Sequence, residues 1–252
     1  MNFQIFLSQF KNDLWNERLK FLILSLLFTF QVLSSIISIF YLEELLTLFG
    51  MDFVNPTPPS GAAAFLDYFA DQFFFGILIV SLGTMNVFAS EIEAGSISFS
   101  LTRPISRAEY TCSRLTARLI GLILPFLIAT LIGWIYMGLF FESFPLYTLL
   151  FTLIPFILLF IYIGVLTSVL SSRTSSLTAG LGTIAIIIVQ FTISAFKPIE
   201  LLSPFTLASF WTEILSSSVS FDLDHFLKLV CLIIWSSILL ILTIYSMKTR
   251  DL

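Results

Sequence analysis

Charged side chains are scarce in this chain. Asp, Glu, Lys and Arg make up 11% of the 252 residues, against about 25% in ordinary soluble domains. Apolar residues account for 58%, and the mean hydropathy is strongly positive. This composition excludes an ordinary soluble domain and is typical of an integral membrane protein.

Histidine and cysteine are nearly absent as well. His225 is the only histidine. It follows Asp222 and Asp224 and precedes the last predicted span. Cys112 and Cys231 are the only cysteines. A catalytic zinc site needs a larger set of such ligands, so we expect neither a metal site nor catalytic residues, and we interpret His225 as part of a solvated loop. The cysteines are predicted near opposite faces of a membrane, where they cannot pair.

Long apolar runs dominate what is present. Six of them contain no Lys, Arg, Asp or Glu, and about 20 such residues in a helix cross roughly 30 Å of hydrocarbon. The runs are 21–41, 73–90, 119–139, 146–170, 178–196 and 229–247. We therefore predict an all-α integral membrane protein with six transmembrane helices, forming a single transmembrane domain over 1–252.

Cations lie mostly on one side of these predicted spans. Ten of the 12 Lys and Arg residues fall before the first span, in the second and fourth connections, or after the last span. Lys197 and Lys228 fall on the other side, together with most of the acidic residues. Because short cytoplasmic loops retain Lys and Arg, we predict that both termini are cytoplasmic in a multi-pass protein of the plasma membrane.

Three flanking segments carry weaker signals. In 1–20, apolar residues recur at helical spacing, which favours an amphipathic helix in the membrane interface over a cytoplasmic extension of the first span. In the connection 42–72, a proline cluster at 56–59 breaks any helix. The serine-rich stretch 171–176 is predicted to be a polar cytoplasmic turn, with a second, smaller contact to a partner as the alternative.

A few uncharged polar residues lie inside the predicted spans. Such side chains either line a translocation path or bond one helix to another, and helix–helix bonding is the commoner role. The candidates for a path are Gln31, Ser35, Thr183 and Gln190.

The segment 91–118 holds seven of the chain's 28 charged residues. Gly95 allows the chain to turn at the end of the second span, and Pro104 marks a helix boundary. Ser106 and Glu109 have the spacing of a capping box, so the third helix is predicted to begin near Ser106. A short cytosolic helix between two long ones would act as a lever. The alternative is a basic loop without a partner, which only fixes topology.

These residues resemble the permease subunits of ABC-2 type exporters. That family has an acidic residue at the end of the second span, a Gly-Thr/Ser turn, a short apolar stretch, a Pro-aliphatic-Ser-Arg element and a basic residue at the third span. The matching positions here are Glu93, Gly95-Ser96, 97–101, Pro104-Ile105-Ser106-Arg107 and Arg114. The motif covers about 30 residues, and the six-span layout covers the whole chain.

The resemblance implies a coupling helix near 94–103 that docks on a separate ATPase subunit. The subunit must be separate because this chain has no Gly-x-x-x-x-Gly-Lys-Ser/Thr phosphate loop. ATP and Mg would bind that partner, and this chain would bind no cofactor and no nucleic acid. Its other partners would be membrane lipid and a second permease copy or a paralogue. The residues assigned to coupling are Glu91, Glu93, Gly95, Ser96, Phe99, Leu101, Arg103, Pro104, Arg107 and Glu109, and Arg107→Glu is expected to uncouple transport.

The alternative function is an ATP-independent channel or secondary carrier. Ion-driven carriers need ionisable groups or broken helices near the middle of the membrane, and none of the six predicted spans contains a charged residue. An integral-membrane enzyme is disfavoured because no serine has a base partner at a recognisable spacing.

Overall fold

The structure is a computed structural model. It describes residues 4, 7, 8, 10, 11, 18–48, 61–95, 106–140, 146–194, 204–205 and 223–249. The regular elements in these residues are all helical, and no strand occurs among them. The predicted all-α class is therefore confirmed for the part of the chain that is described.

Eight α-helices make up most of the described residues. They are α1 Arg18–Leu48, α2 Gly61–Asp71, α3 Ile77–Thr84, α4 Ala89–Glu93, α5 Arg107–Phe140, α6 Leu146–Ser171, α7 Ser176–Ser194 and α8 Leu223–Thr249. A π-helical turn, Gln72–Gly76, joins α2 to α3. We call α2, this turn, α3 and α4 together the second membrane helix.

Five helical stretches are long and apolar enough to cross a membrane. They are Ala63–Glu93, Arg107–Leu139, Leu146–Ser171, Ser176–Ser194 and His225–Thr249. The chain is thus a multi-pass membrane protein. Helix α1 is 31 residues long and contains the shorter apolar stretch Ile23–Ser35. That α1 crosses the membrane, which would make six spans in total, stays a prediction.

The connection predicted at 42–72 is shorter than expected. Helix α1 continues to Leu48, and α2 already begins at Gly61. The proline cluster lies in 49–60, outside the described residues. The sequence Ala-Ala-Ala-Phe-Leu that follows Gly61 favours a helix as soon as the prolines end. In the predicted interfacial segment 1–20, the described residues 4, 7, 8, 10 and 11 are helical.

Helix α6 lies at the centre of the bundle. Helices α3, α5, α7 and α8 all pack on it, while α1 packs on α5 and α2. The helices approach each other closely at glycines, where a bulky side chain of the neighbouring helix lies in the space that a Cβ would occupy. A Cβ at Gly76 would lie 2.7 Å from Phe160 Cζ, and one at Gly83 would lie 2.7 Å from Leu122 Cδ2. Such contacts of small residues are typical of membrane helices, which associate through close packing.

Aromatic rings fill the core between α1, α2, α5 and α6. Phe69 stacks on Phe156 with ring centroids 4.9 Å apart, and Phe126 meets Phe160 edge to face, also at 4.9 Å. Phe28 extends the cluster from α1, 5.7 Å from Phe126. All five rings are buried. Interlocked rings of this kind add directional contacts to the packing of the helices.

Candidate functional site

The second membrane helix is interrupted between α3 and α4. Residues 85–88 form a turn, and Phe88 precedes α4 with φ −122° and no cap from its own side chain. The cap comes from Ser171 at the end of α6. Its Oγ accepts hydrogen bonds from the amides of Phe88 at 3.2 Å and Ala89 at 3.0 Å. The same hydroxyl donates to the carbonyl of Met85 at 2.7 Å.

Helix α4 ends in a left-handed turn at Gly95. The φ of Gly95 is +67°, a conformation that glycine adopts without the strain a side chain would cause. The Gly95 amide donates to the Ile92 carbonyl at 3.1 Å, and the Ala94 amide donates to the Ser90 carbonyl at 3.1 Å. These bonds are those of a glycine-terminated helix. The predicted turn at Gly95 is confirmed.

The Glu91 carboxylate bonds α4 to α5. Its Oε1 lies 2.9 Å from Arg114 Nη2, and its Oε2 accepts a hydrogen bond from the Tyr110 hydroxyl. Arg114 Nε also donates to the Val87 carbonyl at 3.4 Å. Arg114 is only 6% exposed, and a buried guanidinium needs a paired anion and further hydrogen bonds. The Glu91–Arg114 pair therefore holds α4 against α5.

The Glu93 carboxylate bonds α4 to α7. Its Oε1 accepts a hydrogen bond from the amide of Ser176, the first residue of α7, at 3.2 Å. The first amides of a helix have no partner within the helix, and they carry partial positive charge. A carboxylate at this position is therefore stabilised, and it satisfies one of those amides.

Helix α5 begins with the cap predicted from the sequence. Ser106 Oγ accepts a hydrogen bond from the Glu109 amide at 3.2 Å, which is the first half of a capping box. The Ser106 hydroxyl also lies 3.2 Å from Glu109 Oε2 and donates to it. The helix starts at Arg107, one residue after the predicted cap.

Arg107 bonds α5 to the end of α8. Its Nη1 donates to the carbonyls of Met247 and Lys248, each at 3.2 Å. The last carbonyls of a helix lack partners within the helix and attract cations. Arg107, for which a contact with a partner subunit was predicted, thus satisfies the last carbonyls of α8 in its own chain.

Hydroxyl groups join α6 to α8 beside these contacts. Ser172 donates to Ser246 at 2.7 Å, and Arg173 Nε donates to the same Ser246 oxygen at 3.0 Å. One turn earlier, Ser168 and Thr243 are hydrogen-bonded at 3.1 Å. The turn predicted at 171–176 is present at 172–175. We call the whole set the polar junction: Glu91, Glu93, Arg107, Tyr110, Arg114, Ser171, Ser172, Arg173 and Ser246.

A comparison with protein families adds the decisive observation. Residues 18–252 match the family model described as ABC-2 family transporter protein. The chain belongs to this family. It is therefore a membrane permease of an ABC transporter, and the resemblance drawn from 93–114 is confirmed at the level of the family. A search of curated proteins gives no match.

Half of the coupling residues predicted for this permease lie in or beside the polar junction. Glu91, Glu93 and Arg107 belong to it, and Gly95 and Glu109 adjoin it. The predicted coupling helix falls largely in 96–105, outside the described residues, as do Ser96, Phe99, Leu101, Arg103 and Pro104.

The roles of Tyr110 and Ser171 were not predicted from the sequence. Tyr110 precedes Arg114 by one helical turn, so their common face could have been found from the spacing. The role of Ser171 has no local signal, because its partners Phe88 and Ala89 lie 83 and 82 residues away.

The four candidates for a path bond within the permease. The side-chain oxygen of Gln31, on α1, accepts a hydrogen bond from the side-chain amide of Gln72 in the π-helical turn, and the Ser35 hydroxyl donates to the backbone carbonyl of Gln31 at 2.9 Å. Gln190, on α7, lies 2.7 Å from the Tyr162 hydroxyl of α6. The Thr183 hydroxyl donates to a carbonyl of its own helix. Gln31 and Gln190 thus bond one helix to another, which is the commoner role of polar residues in membrane helices. Their role in a translocation path stays a prediction.

The interpretation of His225 as part of a solvated loop is wrong. His225 lies within α8 and is 8% exposed, because the helix begins before it and turns the ring toward the bundle. Cys112 and Cys231 are free. Among the described residues, no three His, Cys, Asp or Glu side chains are grouped so that they could hold a metal ion.

Proposed function

We propose that this permease belongs to an ATP-driven exporter and is coupled to a separate ATPase through the segment 91–118. One observation carries the proposal. The helices that flank the stretch 96–105 are bonded to each other, since Glu91 of α4 lies 2.9 Å from Arg114 of α5. Because these two helices are joined, a displacement of the stretch between them would move both helices. If they were not joined, the stretch could move without moving them.

The supports of this stretch reach four helices. A force on 96–105 acts directly on α4 and α5, at its two ends. Glu93 passes it to the start of α7 through the Ser176 amide, and Arg107 passes it to the end of α8 through two carbonyls. The polar junction is thus suited to convert one contact outside the bundle into a concerted movement of its helices.

The partner in this proposal is an ATP-binding subunit. The permease has no phosphate loop of its own, so ATP and Mg would bind the ATPase. Phe99, Leu101 and Arg103 would contact it, with apolar side chains in a groove and a cation at its rim. Two permeases, identical or paralogous, would work with two ATPases, and closure of the ATPase pair on ATP would shift the permeases between access states.

We further propose that the polar junction faces the cytoplasm, at the plasma membrane. The distribution of cations supports this orientation. Helix α1 would supply the sixth span, since its 31 residues extend over about 46 Å at 1.5 Å each, more than the thickness of the hydrocarbon layer. The direction of transport, outward, rests on the resemblance to exporters.

The test is purification of the tagged chain from its native membrane in mild detergent. The eluate is assayed for a nucleotide-binding subunit and for ATPase activity. Arg103→Glu should lose the subunit, because it reverses a charge in the proposed contact. Lys248→Glu is the matched control, since it reverses an exposed cation next to the junction and should retain the subunit.

Either of two results would reject the proposal. The first is a wild-type chain that purifies without an ATPase, which would favour the ATP-independent channel or secondary carrier. The second is an ATPase captured equally by wild type and Arg103→Glu, together with unchanged ATP-dependent export by the variant, which would reject the part of the proposal that places the coupling contact at Arg103.

A further inference from the structure

The Ser171 hydroxyl takes the place of a missing backbone hydrogen bond in the second membrane helix. In a continuous α-helix the Ala89 amide would donate to the Met85 carbonyl, four residues earlier. Here Ser171 holds both of these groups, accepting from the amide at 3.0 Å and donating to the carbonyl at 2.7 Å. We propose that Ser171 is a positioning residue that keeps the second membrane helix open at 85–88 and so makes α4 a separate lever.

Residues 85–88 contain no helix-breaking residue, although Ser81, Gly83 and Thr84 precede them and the Thr84 hydroxyl donates to the Val80 carbonyl at 2.7 Å. Sharp interruptions of helices come from proline, from Gly/Ser pairs, from π-bulges or from a group inserted into the hydrogen-bond ladder. Residues 84–89 read Thr-Met-Asn-Val-Phe-Ala, without proline or glycine, and the π-helical turn lies farther back, at Gln72–Gly76. Insertion of the Ser171 hydroxyl is the one cause in this set that the break contains.

The packing around the break ties this insertion to the position of α6. Gly164, about two turns before Ser171, brings α6 close to α3, and a Cβ there would lie 3.4 Å from Thr84 Cγ2. On the other side, a Cβ at Gly180 of α7 would lie 3.2 Å from Met85 Sδ. Hydrogen bonds weaken steeply beyond about 3.2–3.5 Å. A shift of α6 by about 1 Å therefore withdraws the hydroxyl and frees Ala89 to bond Met85.

Two arrangements of the second membrane helix follow. With the hydroxyl inserted, α4 is set apart from α3. With it withdrawn, the Ala89–Met85 bond closes and α4 continues α3 as one helix. Since α4 leads into 96–105, a movement of α6 and a movement of that stretch would accompany each other. Only this last link, to the ATPase, rests on the proposed function.

The experiment measures the position of α4 in the purified full chain in lipid nanodiscs, without an ATPase. Cys112 and Cys231 are replaced by Ala, and spin labels are placed at Ala94, at the end of α4, and at Tyr245 on α8, both exposed. A second pair, Val189 and Ile234, both exposed, reports on α7 and α8 away from their contacts with α4 and the polar junction. Electron paramagnetic resonance gives the distance within each pair for Ser171→Ala, Ser171→Thr and Ser172→Ala.

Ser171→Ala is expected to shift the Ala94–Tyr245 distance. Helix α4 has five residues and is thus about 7.5 Å long, so a reorientation of about 20° displaces its end by about 3 Å. The Val189–Ile234 distance should stay unchanged. Ser171→Thr, which keeps the hydroxyl, should restore the wild-type distance. Ser172→Ala removes an equally buried hydroxyl that bonds Ser246 instead, and it should leave α4 in place.

Two results would overturn the inference. One is an unchanged Ala94–Tyr245 distance in Ser171→Ala, which would mean that the hydroxyl only satisfies a break made by other forces. The other is an equal shift in Ser172→Ala, which would indicate general loosening. If Ser171→Ala does not fold, Ser171→Gly replaces it, since it also removes the hydroxyl without adding a thiol. An unchanged Ala94–Tyr245 distance in that variant would count against the switch. Because no ATPase is present, these results are independent of the test of the proposed function.

Discussion

Glu91 Oε1 and Arg114 Nη2 lie 2.9 Å apart and join the two helices that flank the stretch 96–105, with the arginine side chain 7% and the glutamate side chain 21% exposed. This pair decides how firmly α4 is held. Removing one partner of a largely buried ion pair leaves the other charge uncompensated, which costs more than the net value of the pair.

Arg114→Ala and Glu91→Ala should each lower the free energy of unfolding by about 2–3 kcal/mol. The double variant should lose less than the sum of the two, because no uncompensated charge remains. Thermal unfolding of the purified chain, followed by near-UV circular dichroism and by size-exclusion chromatography, gives the three values. Strict additivity would show that the two side chains do not stabilise each other.

Arg107→Glu should destabilise the isolated permease. The substitution sets a carboxylate against the carbonyls of Met247 and Lys248, which now accept from Arg107, at a cost of about 1–2 kcal/mol. Arg107→Lys should retain most of the stability. A loss of coupling in Arg107→Glu would therefore follow from the loosened α5–α8 contact, so Arg103→Glu is the sharper test of a partner. An unchanged melting temperature for Arg107→Glu would contradict the role given to this contact.

Gly164→Ala should destabilise the permease by about 1–3 kcal/mol, because the added Cβ would overlap Leu119 Cδ2. Leu119→Ala should cost less in the Gly164→Ala chain than in wild type, because the smaller side chain leaves room for the added Cβ. Gly121→Ala is the matched control. Its Cβ would meet no atom within 4 Å, and alanine is the better helix former by up to about 1 kcal/mol. Melting temperatures should therefore fall for Gly164→Ala and hold or rise for Gly121→Ala.

The Gln31–Gln72 pair separates the two roles considered for polar residues in the spans. Gln72→Leu leaves the buried Gln31 amide without this partner and should cost about 1–3 kcal/mol, while the double change to leucine should be closer to neutral. If the pair only joins α1 to the second membrane helix, transport by the stable double variant should match wild type. A stable double variant with altered transport would instead assign Gln31 to the path.

The features that the sequence predicted correctly depend on nearby residues. The all-α class follows from apolar runs, the turn at Gly95 from a backbone conformation that suits glycine, and the start of α5 from Ser106 and Glu109, three residues apart. Each of these signals is complete within a few positions, so it can be read without knowing which helices are neighbours.

The features that were missed depend on contacts between distant segments. Arg107 bonds Met247, 140 residues away, and Ser171 bonds an amide 83 residues away. His225 is buried because α8 presents it to the bundle, although acidic residues surround it in the sequence. The neighbouring sequence does not distinguish an arginine that bonds the last carbonyls of a helix in the same chain from one that binds another subunit.

The order of synthesis gives the position of α4 a further consequence. This helix emerges from the ribosome before each residue that holds it in place, since Arg114, Ser171 and Ser176 all come later in the chain. Phe88 supplies no cap of its own, so the nascent second span cannot cap the start of α4 from within its own sequence. It should enter the bilayer as a continuous helix and become interrupted at 85–88 only when α6 packs beside it. The final shape of this span is thus a late step in biogenesis, and truncated chains that end before Ser171 should lack it.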